Sequence, residues 1–346
     1  MKKLQELLHT TLRSAPKTKI FKPFAAVFET LEGIIFGPTE ITAGAPHVVD
    51  NIEIKRYMTM VIIALLPSTV SAIVFFGWRV LLMIIASYVA GGIVEVAFAL
   101  IRKREIEEGF LVTGLIFPLI LPPTTPIWIV VVGCAVGVFF GKEVFGGTGR
   151  NIFNPALVGR LFITIAFPQA MSASWQKPFT DAITTATPLA TFRTSGELAQ
   201  LSEMLLGNVA GCVGEVFRIG VIIGGIFLIL TKVANWRIPL SYLASVALFS
   251  WIGNLIAPET IAPPLFQLLA GGLLFGAMFM ATDPVSSPYN HESKFIFGVL
   301  CGLVTVVIRS FSGYTEGVMF SIIFMNALAP LIDHFVLKAK YRTVKQ

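Results

Sequence analysis

Apolar residues in this chain gather in long blocks, with no sign of the short amphipathic periods of a soluble core. Each block is close to the roughly 20 residues a helix needs to cross hydrocarbon. The pattern predicts spans at approximately 57–77, 80–101, 109–121, 126–145, 155–171, 215–233, 237–256, 264–282, 294–309 and 314–337. The third is short, and Leu121-Pro122-Pro123 breaks its end. Interrupted spans in transporters often mark a binding region; a span that begins a few residues earlier is the plainer alternative. The expected fold class is an all-α polytopic membrane protein of roughly ten transmembrane helices, with two inverted five-helix repeats as a further option.

The polar stretches divide the chain. Residues 1–56 form a basic, partly amphipathic arm, and the first apolar block starts too late for a signal peptide. A single transmembrane domain is expected over 57–338, with its longest loop at 172–212, and a short tail over 339–346. Arg102, Lys103, Arg104, Lys142, Arg150, Lys232, Arg237, Lys294, Lys338, Lys340, Arg342 and Lys345 fall on the side of the N-terminus. Only Arg79, Lys177, Arg193 and Arg309 fall in the opposite loops. That bias predicts an even number of crossings, both termini cytoplasmic and the 172–212 loop outside.

Composition sharpens this picture. Of 346 residues, 55% are hydrophobic and only 13% charged, and the mean hydropathy is +0.79. A soluble domain needs more charge than that to cover its surface. The net charge of +6 sits mostly beside the ends of apolar blocks, which suits an anionic leaflet and argues against nucleic acid as a partner. Cys134, Cys212 and Cys301 are far apart, and there is no CxxC or HExxH pattern. An iron–sulfur cluster held by this chain alone, a zinc ribbon and a disulfide framework are therefore all unsupported.

Four features could carry chemistry. The outside loop from Asp181 to Pro188 is rich in small hydroxyl residues, and a threonine there could be covalently modified; a polar turn is the plainer reading. The stretch from Phe145 to Pro155 contains Gly146-Gly147, Gly149, Arg150, Asn151 and Asn154, which suit close backbone approach to a ligand and hydrogen bonds to a flavin edge. It is not a Rossmann fingerprint, and a tight turn is its plainer reading. Glu95, Asp283, Asp333, Arg160 and Glu143 lie within or at the ends of spans, where charge is costly by about 2.5 kcal/mol or more and is a functional hypothesis by default. Capping or a salt bridge near the interface is the plainer reading of Asp283 and Asp333, and a pair with Arg160 or with another subunit's lysine that of Glu95. The paired glycines Gly91-Gly92, Gly224-Gly225 and Gly271-Gly272 read first as close helix packing, with ligand contact as a second option for Gly91 and Gly92.

Lys55-Arg56-Tyr57-Met58, Glu107 to Thr113, Lys142 to Asn151, Asn154 to Leu157, Ala281 to Pro284 and Ala329 to Phe335 run in order over nearly the whole chain. In these stretches the chain resembles the NqrB/RnfD family, membrane components of sodium-pumping NADH:quinone oxidoreductases (Nqr complexes) and of Rnf complexes. The long N-terminal arm and the Ile332 to Phe335 ending look more like the NqrB branch.

The resemblance implies a set of roles. In this family a threonine in an Asp-x-x-[Ser/Thr]-Gly-Ala-[Ser/Thr] motif carries covalent FMN through a phosphoester bond. Asp181 to Thr187 matches, with Thr185 in place of the usual glycine, so Thr187 is the implied attachment point. Asn151 and Asn154 are the implied contacts of a non-covalent riboflavin. Glu95, Asp283 and Asp333 align with acidic residues of the cation path, and Gly91 and Gly92 with the quinone region. The implied partners are the other components of an Nqr or Rnf complex, membrane lipid, quinone, Na+ and a flavin transferase, and the implied location is the bacterial inner membrane. The chain has no NADH site, so partner subunits would supply electrons. A plain secondary transporter is the rival from another class, and bound flavin separates the two.

Overall fold

The computed structural model describes residues 54–103, 109–172, 175–180, 183–184 and 186–342. Most of the arm, the Glu107-Glu108 pair, Asp181, Thr185 and the last four residues lie outside the described residues.

Among the described residues the chain forms fourteen α-helices. In chain order they are α1 Ile54–Phe76, α2 Trp78–Arg102, α3 Gly109–Leu119, α4 Ile127–Gly141, α5 Pro155–Ala166, α6 Pro168–Ser172, α7 Pro188–Ser195, α8 Leu201–Leu206, α9 Arg218–Leu230, α10 Arg237–Ile256, α11 Pro264–Leu269, α12 Leu273–Phe275, α13 His291–Phe311 and α14 Val318–Arg342. A π-helical turn, Gly276–Met280, continues α12. The short strands Trp175–Gln176 and Ile183–Thr184 pair antiparallel, Trp175 opposite Thr184. Six of the described helices are long and apolar enough to cross a membrane: α1, α2, α4, α10, α13 and α14. Three shorter apolar helices, α3, α5 and α9, fall on other expected spans. The expected span at 264–282 is not continuous. It breaks at Gly271, whose φ of 60° leaves the helical region.

The helices pack through small residues. α10 lies along α13, where Gly298 and Gly302 face Ser241 and Ser245; a Cβ on Gly302 would come within 1.8 Å of the Ser245 hydroxyl. α4 lies along α5, where a Cβ on Gly137 would meet the Pro155 carbonyl oxygen at 2.6 Å. α1 lies along α9, where a Cβ on Gly224 would meet the Ala64 carbonyl oxygen at 2.0 Å. In lipid, where apolar contact between helices gains nothing over apolar contact with tails, close backbone approach is what holds helices together. The packing reading of Gly224-Gly225 thus holds, while Gly271-Gly272 serves a turn. The Gly298-x-x-x-Gly302 pair went unread in the sequence.

The described part of the long loop forms a cap. Leu189 and Phe192 of α7 and Met204 of α8 form a small core with Phe266 and Ala270 on and beside α11. Arg218, at the start of α9, donates to the carbonyls of Met204, Val216 and Leu269 and so ties the cap to the broken segment.

Candidate functional site

Two cavities lie at opposite ends of α5. The first encloses about 700 Å³ including its mouth. Its walls include Tyr57, Thr113, Lys142, Asn151, Asn154 and Asp283. The second encloses about 940 Å³ including its mouth, and Arg160, Thr164, Trp175, Ala190, Tyr314 and Glu316 are among its walls. Pro155 touches the first and Thr164 the second, a helical rise of roughly 14 Å.

In the first cavity, local folding leaves Asn151 and Asn154 half used among the described residues. Asn154 is the N-cap of α5: its Oδ1 accepts from Ala156 N at 3.1 Å, and Pro155 occupies the first helical position, where its missing N–H costs nothing. Asn151 Nδ2 donates to the Phe153 carbonyl at 3.0 Å. Both side chains are buried, at 7% and 6% exposure. Asn151 therefore keeps a carbonyl oxygen and Asn154 an amino group for a guest, an acceptor and a donor side by side. That pairing, with the apolar walls Val61, Ile116, Leu228 and Phe279, fits the edge and face of a flavin ring.

Asp283 joins the same cavity. Its carboxylate accepts from Val285 N at 3.2 Å and from Ser286 Oγ at 2.9 Å, and it forms no ion pair among the described residues. The sequence treated Asp283 and the two asparagines as separate features, and the fold brings them together.

Glu95 sits beside this cavity. Its carboxylate pairs with Lys142 Nζ, and both side chains are buried. The partner is Lys142, not Arg160, which belongs to the other cavity. Lys142, read from the sequence as a loop charge, is only 2% exposed. Glu143 pairs outward with Arg102 at 3.1 Å.

Asp333, on α14, accepts from Tyr289 N at 2.7 Å and Asn290 N at 3.1 Å, and from Asn290 Nδ2 at 2.7 Å. It anchors the segment leading into α13, and it lines neither cavity described above. Gly91 packs against α4, where a Cβ would meet Cys134 Sγ at 3.3 Å, and Gly92 looks toward Phe110. Neither lines the two cavities.

At the other end, Thr187 is the N-cap of α7, its Oγ1 accepting from Ala190 N at 3.4 Å. Ala190 lines the second cavity, so the hydroxyl lies one turn from its wall. Thr187 is half-buried, with Pro188 again at the first helical position. A phosphate on Oγ1 would sit at a helix N-terminus, where free N–H groups and the helix dipole favour negative charge.

Along and behind this cavity lies a buried set of charges that the sequence did not reveal. Arg309 donates to Glu316 Oε1 at 2.9 Å, to the Gln267 carbonyl at 2.7 Å and to the Ala270 carbonyl at 2.9 Å. Glu316 Oε2 accepts from Gly272 N at 2.9 Å, and Glu215 Oε1 accepts from Cys212 N at 2.9 Å. Arg309 and Glu316 satisfy the backbone exposed by the break at Gly271. Arg309, assigned from sequence to an outside loop, is a buried residue of α13.

Comparison with known proteins agrees with the membrane architecture. Residues 41–342 match the NQR2, RnfD, RnfE family. The NqrB component of the Na(+)-translocating NADH-quinone reductase of Azotobacter vinelandii (strain DJ / ATCC BAA-1303) is 35% identical over 377 residues, covering 93% of this chain and 94% of that protein. The protein of the same name from Klebsiella pneumoniae (strain 342) is 34% identical over 410 residues, covering 100% and 99%. That from Pseudomonas paraeruginosa (strain DSM 24068 / PA7) is 34% identical over 394 residues, covering 98% of each. With its described helices apolar enough to span a bilayer several times, the chain is a multi-pass membrane protein that belongs to the NQR2, RnfD, RnfE family.

Proposed function

We propose that this chain is the membrane flavoprotein component of a sodium-exporting NADH:quinone oxidoreductase complex. It passes electrons from a partner flavin subunit to a membrane quinone through FMN on Thr187 and riboflavin at Asn151 and Asn154. The observation that carries the reading is the pair of cavities at the two ends of α5, one with half-used asparagines and one beginning a turn from Thr187.

When bound, the flavins supply the electron-carrying chemistry, and the protein supplies position and electrostatics. Asn151 and Asn154 orient a ring edge, and Val61, Ile116 and Phe279 exclude water from its face. Thr187 offers the hydroxyl and the α7 N-terminus offers N–H groups to its phosphoester. Asp283 is the carboxylate best suited to a cation, because it lines the cavity without an ion-pair partner among the described residues. Glu95 and Asp333 are engaged already, by Lys142 and by the Tyr289-Asn290 backbone, so a cation role for either requires exchange of those partners.

Topologically, we assign the first cavity to the cytoplasmic face and the second to the opposite face, with both termini cytoplasmic, on the basis of the Lys and Arg bias. Two five-helix repeats are supported by matching partnerships: α2 packs on α4 as α10 packs on α13, and α4 on α5 as α13 on α14. The Rnf-type assembly is the competing reading within the family, and the names of the relatives above favour the quinone-reducing one.

The test is performed on the whole complex in membranes. Sodium-stimulated quinone reduction by NADH is expected in the wild type and is lost in Thr187→Ala. Electron exchange between ferredoxin and NAD without quinone reduction would assign the chain to the Rnf branch instead.

A further inference from the structure

We propose that the starts of α10 and α13 form a binding site for an anionic phospholipid of the adjoining leaflet, its phosphate held between Arg237 and Lys294. The site depends only on the membrane placement of the chain and stands apart from the flavin reading.

The two helices run parallel, since Gly298 faces Ser241 and Gly302 faces Ser245, and so they begin side by side. The Arg237 guanidinium lies over the Trp236 ring at 5.1 Å and near the Phe295 ring at 6.0 Å. The two rings meet edge to face, with centroids 5.8 Å apart. Among the described residues the Arg237 side chain makes one hydrogen bond, to His291 Nδ1 at 3.5 Å, and no ion pair. Lys294, one turn on from His291, also forms no ion pair among the described residues, and the two cations are close enough to repel each other. Their acidic neighbours do not cancel both. Glu292 pairs with Lys340 at 3.6 Å. Asp333 faces Lys294, accepts from Tyr289 and Asn290, and balances one of the two charges.

The surroundings match the rest of a phospholipid. Trp236 and Phe295 are exposed, as in the aromatic girdle of a membrane interface, and Leu240 and Val299 continue an exposed apolar face one turn further along each helix. Acyl chains lie along that face. Beside Lys294 a third cavity encloses about 540 Å³ including its mouth, with Asn235, Ser287 and Tyr289 among its polar walls. It has room for a hydroxylated headgroup. Tyr57, whose hydroxyl donates to the Val233 carbonyl, is a common wall of this cavity and the first. Apolar face, cation pair and polar cavity thus follow one another as tail, phosphate and headgroup do. Basic pockets between membrane helices are recurrent headgroup binders, and a guanidinium stacked on rings keeps its N–H edges open for phosphate. A zwitterionic lipid brings its own cation to its phosphate, so a pair of protein cations favours the anionic kind.

The experiment uses the whole complex in nanodiscs of phosphatidylcholine with a minor share of phosphatidylglycerol, one lipid or the other carrying brominated acyl chains. Bromine quenches tryptophan on contact, and the difference between each form and its Trp236→Phe counterpart isolates the emission of Trp236. In the wild type, brominated phosphatidylglycerol is expected to quench Trp236 well beyond its share of the bilayer. Arg237→Gln and Lys294→Gln are each expected to lower that preference about fivefold, the worth of one charge near a membrane surface. Lys103→Gln removes an exposed charge at the end of α2, away from the site, and is expected to leave the preference unchanged. Lys294→Gln carries the test if Arg237→Gln fails to assemble. Quenching of the wild type by each lipid in proportion to its share would overturn the site. So would a preference untouched by Arg237→Gln and Lys294→Gln, or one lowered as much by Lys103→Gln, which would mark a general attraction to the charged surface.

Discussion

Lys142 Nζ and the Glu95 carboxylate form an ion pair sealed inside the protein, with side-chain exposures of 3% and 4%. The pair joins α2 to the end of α4, and Lys142 also lines the cavity of Asn151 and Asp283. A carboxylate in the middle of an apolar helix is thus neutralised by the protein's own cation.

Breaking that pair from one side is expected to be costly. Glu95→Gln leaves Lys142 buried and unpaired, a loss of about 3–5 kcal/mol for a pair of this kind. Glu95→Gln combined with Lys142→Met recovers much of it. Thermal unfolding of the purified complex checks the order. If sodium-dependent turnover stays low in the double variant while stability returns, Glu95 also serves the cation path.

Asn154 does two jobs that substitution can separate. Asn154→Asp keeps the cap on Ala156 N and replaces the donor facing the cavity with an acceptor. Non-covalent flavin, released by acid and quantified by chromatography, is expected to fall sharply with little change in stability. Asn154→Ala is expected to lose the flavin and about 1 kcal/mol of stability as well.

Glycines in the helix contacts should be ranked by what a Cβ would meet. At Gly224 it meets the Ala64 carbonyl oxygen, which is backbone, and at Gly313 it meets nothing within 4 Å. Gly224→Ala is expected to cost about 1–3 kcal/mol, as overpacking does, and Gly313→Ala close to nothing. Detergent-melting midpoints of the two variants check the ranking.

Asp333 gives a fourth contrast. Asp333→Ala strands the N–H groups of Tyr289 and Asn290, at a cost of about 1–3 kcal/mol where they are buried and less where water reaches them. Asp333→Asn keeps one acceptor and should retain part of that stability. Sodium-dependent turnover that is lost equally in both, despite their difference in stability, would point to a cation role.

Much of this arrangement was legible in the sequence, for physical reasons. Apolar blocks of spanning length gave the helix positions, and the short block before Leu121-Pro122-Pro123 proved to be the short helix Gly109–Leu119. The break at Gly271 was hidden because apolar residues flank it on both sides, so hydropathy stays high through the turn. The charges that satisfy this break, Arg218, Arg309 and Glu316, read as span ends and loop residues, since their burial comes from segments distant in sequence. The partner of Glu95 was missed for the same reason. Lys142 lies 47 positions away, and only the packing of α2 on α4 brings the two together.

The central claim is that Thr187 carries a flavin. In-gel flavin fluorescence of the denatured chain, co-expressed with a flavin transferase, compares wild type with Thr187→Ala. Fluorescence that survives denaturation in the wild type and vanishes in the variant is the predicted result. A wild-type chain that is dark beside an active transferase, or a variant as bright as the wild type, would contradict the account.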